Sequence, residues 1–161
     1  MRKKDRRLEA LFWSIAFPGF GQLLNRQIIK GILLLLLEFV VNVQSKFNEA
    51  IVYSFIGEIE KAAQTINYQW LMFYPCIYFF AIWDAYKFSA DEPEPFSFFP
   101  FVFSAYFVTV GLMFSSKTEV LGTNIGPIFL PMLFVIPGVA IGLFIKKLFK
   151  HYTKDTKEEV K

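Results

Sequence analysis

Apolar residues gather into five stretches that short polar segments separate. A hydrocarbon core about 30 Å thick requires roughly 20 helical residues, because an α-helix rises about 1.5 Å per residue. Four of the stretches have this length, and they cover residues 28–47, 68–87, 96–116 and 125–145. The pattern therefore predicts an all-α membrane protein with four transmembrane helices.

The remaining stretch, residues 8–24, is too short to cross and contains Pro18, Gly19 and Gly21. Proline removes a helix donor, and glycine permits turns that other residues avoid. We therefore expect a broken N-terminal helical hairpin, re-entrant or interfacial, that returns to its own side.

An amphipathic helix is expected between the first two spans, over residues 47–66. Its apolar positions recur every four residues, at Phe47, Ile51, Phe55, Ile59 and Ala63, and Gly57 weakens it. Two interpretations remain open. The helix is either a lid on the end of its own bundle or a surface for the membrane or a partner.

The first span carries three polar residues, Glu38, Asn42 and Ser45, on one helical face, with Gly31 in line two turns earlier. A carboxylate near mid-membrane costs at least about 2.5 kcal/mol, so Glu38 should be neutral, paired or hydrated. This face is expected to look into protein. It either fixes the helix register or lines a pathway.

The last two spans carry small residues and prolines at regular places. Ser104, Val108, Gly111 and Ser115 give one narrow face, and Gly138 and Gly142 give another, so close helix contact is expected. The fourth span should be kinked by its prolines. The polar segments are a turn at residues 88–95, with Asp91, Glu92, Pro93, Glu94 and Pro95, and a charged tail at residues 146–161.

Composition narrows the possible chemistry. The chain is 55% apolar and 19% aromatic, above the share of soluble proteins. Cys76 and His151 are single, which excludes an intrachain disulfide and a Cys/His zinc cluster. No cofactor or metal is predicted. The basic N-terminus imitates a signal peptide, but no small-x-small cleavage pattern follows, so it is expected to be retained.

Basic residues predict the orientation. With a hairpin that returns, fourteen of the seventeen lysines and arginines lie on one face and three on the other. With a hairpin that crosses, the division is eight against nine. The positive-inside rule therefore favours a multi-pass protein of the cell membrane with both termini cytoplasmic. Because the net charge of +3 is concentrated at these ends, nucleic-acid binding is not predicted.

Two motifs carry a resemblance: Pro-Gly-x-Gly-Gln-x-x-Asn-x-x-x-x-Lys-Gly at residues 18–31 and Trp-Asp-Ala-Tyr-Lys at residues 83–87. They resemble the two halves of bacterial TM2-domain-like small membrane proteins. The resemblance covers roughly residues 8–88 and implies a compact helical module, so the predicted division is this module at residues 1–88 and, from the apolar pattern, two further spans and the charged tail at residues 89–161. The sequence departs from the family pattern at Leu23 and Leu24, where an aromatic is common, at Arg26, where glycine is common, and in the long insert.

A reaction is not predicted. Glu38 and Asp84 are the candidate paired carboxylates, but they are expected at different depths, and no nucleophile has an adjacent base. Asp84 is instead expected to cap the interface or to pair with Arg26 or Lys30, tying the two motifs together. Candidate structural or functional residues are Pro18, Gly19, Gly21, Asn25, Arg26, Lys30, Gly31, Glu38, Asn42, Trp83 and Asp84.

The function predicted from these features is a non-catalytic accessory, scaffold or regulatory subunit of a membrane complex. The alternative is a small-solute or ion pathway, oligomeric forms included. The partners expected are membrane lipids and either a membrane protein or further copies of the chain.

Overall fold

The structure, a computed structural model, describes residues 3–90, 94–120 and 122–159 and is 79% helical. Side chains are described from Asp5 to Thr153 within these ranges. The helices are α1 (Lys3–Ala16), α2 (Phe20–Leu24), α3 (Ile28–Ser45), α4 (Phe47–Phe55), α5 (Ile59–Thr65), α6 (Tyr68–Leu71), α7 (Tyr74–Phe88), α8 (Phe99–Phe114) and α9 (Gly126–Glu159). The predicted all-α class is confirmed. The described β-structure is a short antiparallel pair, β1 (Glu119–Val120) and β2 (Thr123–Asn124), with Glu119 opposite Asn124.

The N-terminal hairpin enters beside α7 and turns back. The hydroxyl of Tyr78 donates to the carbonyl of Ile15 over 2.7 Å, whereas the amide of Asn25 donates to the carbonyl of Ala85 over 2.7 Å. Tyr78 and Ala85 lie about 10 Å apart along α7. The chain therefore runs along α7 in one direction in α1 and in the opposite direction in α2. The predicted break of the hairpin, between Ala16 and Phe20, is confirmed. The helix begins earlier than residue 8, because the basic residues from Lys3 join its first turns.

The inward face of α3 is buried at Gly31, Leu34, Glu38, Val41 and Ser45. This confirms that the predicted polar face looks into protein. Asn42 lies at the margin of that face and is partly exposed. The helix ends at Ser45 rather than residue 47, because Lys46 takes a left-handed backbone conformation with φ 56°.

The second predicted span is not one continuous helix. Met72 and Phe73 form a turn between α6 and α7. Pro75 has no N–H group to donate to the carbonyl of Leu71, so the helical hydrogen-bond ladder is interrupted there. The expectation of an unbroken helix over residues 68–87 is wrong at this point.

The insert is two helices rather than one. Gly57 has φ 86°, and the chain turns there between α4 and α5. Ala50 and Ala62 from the two helices are fully buried in one cluster with Leu71, Leu112 and Ile128, which come from α6, α8 and α9. The insert therefore packs as a lid on the end of its own bundle. The apolar positions of the insert are therefore not all buried on one face. Ile51 packs against the cluster, whereas Phe55 is 68% exposed.

The last two helices are closely paired. A Cβ atom on Gly138 would lie 2.7 Å from the Cα of Ser104, and one on Gly142 would meet Pro100. The predicted small-residue contact is thus confirmed. Pro131 and Pro137 are carried inside a continuous 34-residue helix.

The predicted change from helix to tail at residue 146 is wrong, because α9 continues to Glu159. Residues 146–159 contain no glycine or proline, and extending an existing helix costs far less than nucleating one. Of the predicted polar turn at residues 88–95, Asp91, Glu92 and Pro93 lie outside the described residues, as do the last two residues of the tail.

Among the residues that the structure describes, two helices are long and apolar enough to cross a membrane, α3 and the Gly126–Thr153 part of α9. Phe99–Phe114 is also apolar but has only 16 residues, or about 24 Å of helix.

Candidate functional site: a hinge junction, a carboxylate clamp and an apolar cleft

The two sequence motifs meet at Asp84, whose side chain is only 4% exposed. Lys30 donates to both carboxylate oxygens, over 2.9 and 3.2 Å. The amide of Gln22 donates to Oδ2 over 3.0 Å and to the carbonyl of Ala81 over 2.8 Å. We name Gln22, Asn25, Lys30 and Asp84 the hinge junction. The expected pairing of Asp84 with Arg26 or Lys30 is confirmed for Lys30.

The backbone of the hinge explains how Lys30 reaches Asp84. Asn25 ends α2, and its side chain is held on the carbonyl of Ala85. Arg26 then adopts φ 61°, a left-handed conformation that reverses the chain into α3, while its side chain is exposed. Glycine adopts this conformation without strain.

Three glycines allow the hairpin to lie against its neighbours. A Cβ on Gly19 would lie 2.6 Å from the carbonyl oxygen of Gly31. A Cβ on Gly21 would lie 2.6 Å from the Cβ atom of Ala85 and 2.7 Å from the carbonyl oxygen of Ala10. Pro18, at the turn, is fully buried. These predicted residues therefore position the hinge junction through close packing.

Trp83 lies beside the junction without joining it. The ammonium of Lys87 lies 4.9 Å from the centre of its ring. Its indole Nε1 is buried and has no hydrogen-bond partner among the described residues.

Glu38 forms a separate polar contact. Its carboxylate, 5% exposed, accepts a hydrogen bond from the hydroxyl of Tyr74 at Oε1 over 3.0 Å. Oε2 has no hydrogen-bond partner among the described residues. Tyr74 and Asp84 are ten residues apart on α7, or about 15 Å. The structure therefore does not bring Glu38 and Asp84 together as a catalytic pair.

A third carboxylate, that of Glu94, lies near the same end of α7 as Asp84 and contacts residues of α1, α7 and α9. Lys146 lies 2.8 Å from Oε1 of Glu94, Tyr86 donates to Oε2 over 2.7 Å, and Arg7 lies 3.9 Å from Oε2. We name these four residues the carboxylate clamp. Burial alone raises the pKa of Glu94, but the hydrogen bonds from Lys146 and Tyr86 and the two positive charges outweigh it. The pKa of Glu94 is therefore held below its ordinary value.

An apolar cleft of about 1010 Å³ runs between two groups of helices. One wall comes from α1, α3 and α7, and the other from α8 and α9, with α4 at one end. The charged residues on its lining are Glu38 and Lys146. Asn42 and Asn48 also line it, and the amide of Asn42 donates to Oδ1 of Asn48 over 3.2 Å. Most other lining side chains are aliphatic or aromatic.

Several residues of these sites were not singled out from the sequence. Gln22 had a signal, since an amide inside an otherwise apolar stretch requires a partner. Tyr74, Glu94 and Lys146 had none, because their roles depend on helices that are distant in sequence. Within the described part of the chain, no three His, Cys, Asp or Glu side chains are grouped so as to hold a metal ion.

No protein-family model, curated protein or solved structure matches this chain.

Proposed function

We propose that the chain is a small multi-pass protein of the cell membrane. Nine large apolar side chains of α3 are exposed, at Ile28, Ile29, Ile32, Leu33, Leu36, Leu37, Phe39, Val40 and Val43. Soluble proteins rarely expose an apolar patch of that size, whereas lipid covers it at no cost. Four spans, formed by α3, by α6 together with α7, by α8 and by the first part of α9, with a re-entrant hairpin and both termini cytoplasmic, account for the distribution of basic residues.

Within that membrane, the chain acts as a non-catalytic accessory, scaffold or regulatory subunit. The observation that carries this proposal is that Asp84 of α7 accepts hydrogen bonds from Gln22 of the hairpin and from Lys30 of α3. A buried carboxylate held by two internal donors fixes how helices meet and has little freedom to move an ion or a proton. The resemblance to TM2-like proteins supports the same compact module at residues 1–88.

The second candidate is a small-solute or ion pathway. Glu38 and Asn42 favour it, because both line the cleft and Oε2 of Glu38 has no partner among the described residues. An ion path must be wet, however, and most of the cleft lining is apolar. The scaffold is therefore the function that the geometry supports best.

Reconstitution separates the two candidates. Purified protein in liposomes should give no more ion flux than empty liposomes. Glu38→Leu should lower abundance and Tm in cells and in detergent, because Tyr74 loses its acceptor. Glu119→Gln, at an exposed carboxylate of the β-pair, is the matched control and should change neither. Flux in the parent that Glu38→Gln abolishes at normal abundance would establish the pathway instead.

Complex membership needs its own measurement. Intact protein captured in mild detergent should bring down a membrane protein, or a differently tagged second copy, in a fixed ratio. A parent that elutes only as a monomer with lipid contradicts the scaffold proposal.

A further inference from the structure

The cleft is long. Its α9 wall runs from Ile128 to Lys146, which is about 27 Å of helix. The volume of the cleft, about 1010 Å³, lies at the upper end of the range of ligand pockets, about 300–1,000 Å³.

Glu38 places a polar group on the largely apolar lining of the cleft. The side chain is 95% buried and lines the cleft, and Oε1 is occupied by the hydroxyl of Tyr74. Oε2 has no partner among the described residues. Buried carboxylate oxygens are nearly always hydrogen-bonded, so this atom calls for a donor. The nearby hydroxyl of Tyr78 is not available, because it donates to the carbonyl of Ile15.

We propose that the cleft binds one lipid-like molecule with a single long hydrocarbon chain and a hydroxyl or ammonium group that donates to Oε2 of Glu38. The chain lies along the apolar wall that Pro131, Val135 and Val139 contribute. A phosphate or carboxylate headgroup does not fit at Glu38, because an anion would face the carboxylate without a donor. The proposal rests on the membrane placement proposed above and not on the scaffold role.

Photolabelling of the intact protein in phosphatidylcholine nanodiscs tests this proposal. The probe is a C16 alcohol with a diazirine in mid-chain, and labelled peptides are mapped by mass spectrometry. Labelling should saturate and concentrate on α7, α8 and α9 at the cleft. Hexadecanol and hexadecylamine should each displace the probe at concentrations about ten-fold lower than hexadecyl methyl ether, which has the same chain and no donor.

Two substitutions distinguish binding of the hydrocarbon chain from the hydrogen bond to Glu38. Val135→Trp fills the cleft and should reduce labelling there several-fold. Leu33→Trp, on the exposed face of α3, is the matched control and should leave cleft labelling unchanged. Glu38→Leu should keep cleft labelling but remove the preference for alcohol over ether.

The competition experiment uses the parent protein, so it tests the binding of a lipid-like molecule in the cleft even where a variant fails to accumulate. Equal displacement by alcohol and ether would overturn the role of Glu38. Labelling spread evenly over the exposed apolar faces would overturn the site itself. Cross-linked dimers joined through cleft residues would show that a second copy occupies it, which also overturns the proposal. A protein that fails to sediment with membranes refutes the membrane placement before labelling begins.

Discussion

Lys30 and Asp84 are 54 positions apart in the chain, and their charged groups lie 2.9 Å apart. The two ends of the pair differ in environment, since the side chain of Asp84 is 4% exposed and that of Lys30 is 40% exposed. Gln22 completes the contact by binding the same carboxylate. The buried acid of α7 therefore holds both the hairpin, through Gln22, and the start of α3, through a basic group that still reaches solvent.

This asymmetry predicts unequal effects of removing either partner. Lys30→Met leaves a buried carboxylate with only Gln22 and should cost about 2 kcal/mol. Asp84→Asn keeps an acceptor for Gln22 and leaves a lysine that water can solvate, so it should cost about 1 kcal/mol. The measurement is thermal unfolding in detergent, where each kcal/mol shifts Tm by about 2–4 °C.

The double variant Lys30→Met/Asp84→Asn is the control for that pair. Its stability should resemble that of Asp84→Asn alone, because no buried charge is left without a partner. Equal losses in the two single variants, or additive losses in the double variant, would contradict the described contact.

Replacing Arg26 with glycine should make the folded protein more stable. Its left-handed φ of 61° costs an L-residue about 1–2 kcal/mol, a strain that glycine does not have. Arg26→Gly and Arg26→Ala remove the same charge, so their difference isolates the backbone. The glycine variant should be more stable by about 1 kcal/mol. Alanine as stable as glycine would mean that the hinge does not take this conformation.

The carboxylate clamp should make stability depend on acid pH. Because the pKa of Glu94 is lowered in the folded protein, its contribution is present above the ordinary pKa of a glutamate, about 4.3. That contribution is lost as pH falls through the lowered value. Tm measured from pH 7 to pH 3 should therefore fall less in Glu94→Gln than in the parent. Glu119→Gln should keep the parental slope, and an unchanged slope in Glu94→Gln would show that the clamp does not form.

The parts of the fold that could be predicted depend on local pattern. Pro18, Gly19 and Gly21 marked the break in the hairpin, and the small residues of the last two spans marked their contact. The pairing of Asp84 with a hinge lysine was also predictable, because a buried acid needs a nearby base.

What could not be predicted depends on contacts between distant helices. Glu94 lies in a turn whose charges looked like ordinary solvated residues, and only the convergence of Arg7, Tyr86 and Lys146 makes it a junction. The cleft has no sequence signal at all, since its lining comes from helices that are distant in sequence. The turn before Pro75 and the helical continuation past Lys146 were errors of local prediction, where a proline and a favourable helix composition were given too little weight.

The hairpin break should be essential for topology. Replacing Pro18, Gly19 and Gly21 together with leucine leaves residues 8–24 a continuous apolar helix, long enough with the hinge to cross. Leucine also does not fit at Gly21, which packs against Ala85. The variant should misinsert, be degraded or show mixed topology. Val43→Leu, at an exposed position of α3, is the control, and normal one-sided insertion of the triple variant would contradict this role.

Labelling at position 27 tests the membrane placement and the re-entrant hairpin most directly. Cys76 is exposed, so it is first replaced by serine, and Gln27→Cys then gives a single thiol in the hinge. A membrane-impermeant maleimide should reach it only from the cytoplasmic side, as should a reporter fused after Lys161. Glu119→Cys, at the opposite end of the bundle, should react only from outside. Labelling of position 27 from outside would show that residues 8–24 already cross, and labelling of both positions from one side would contradict the four-span account.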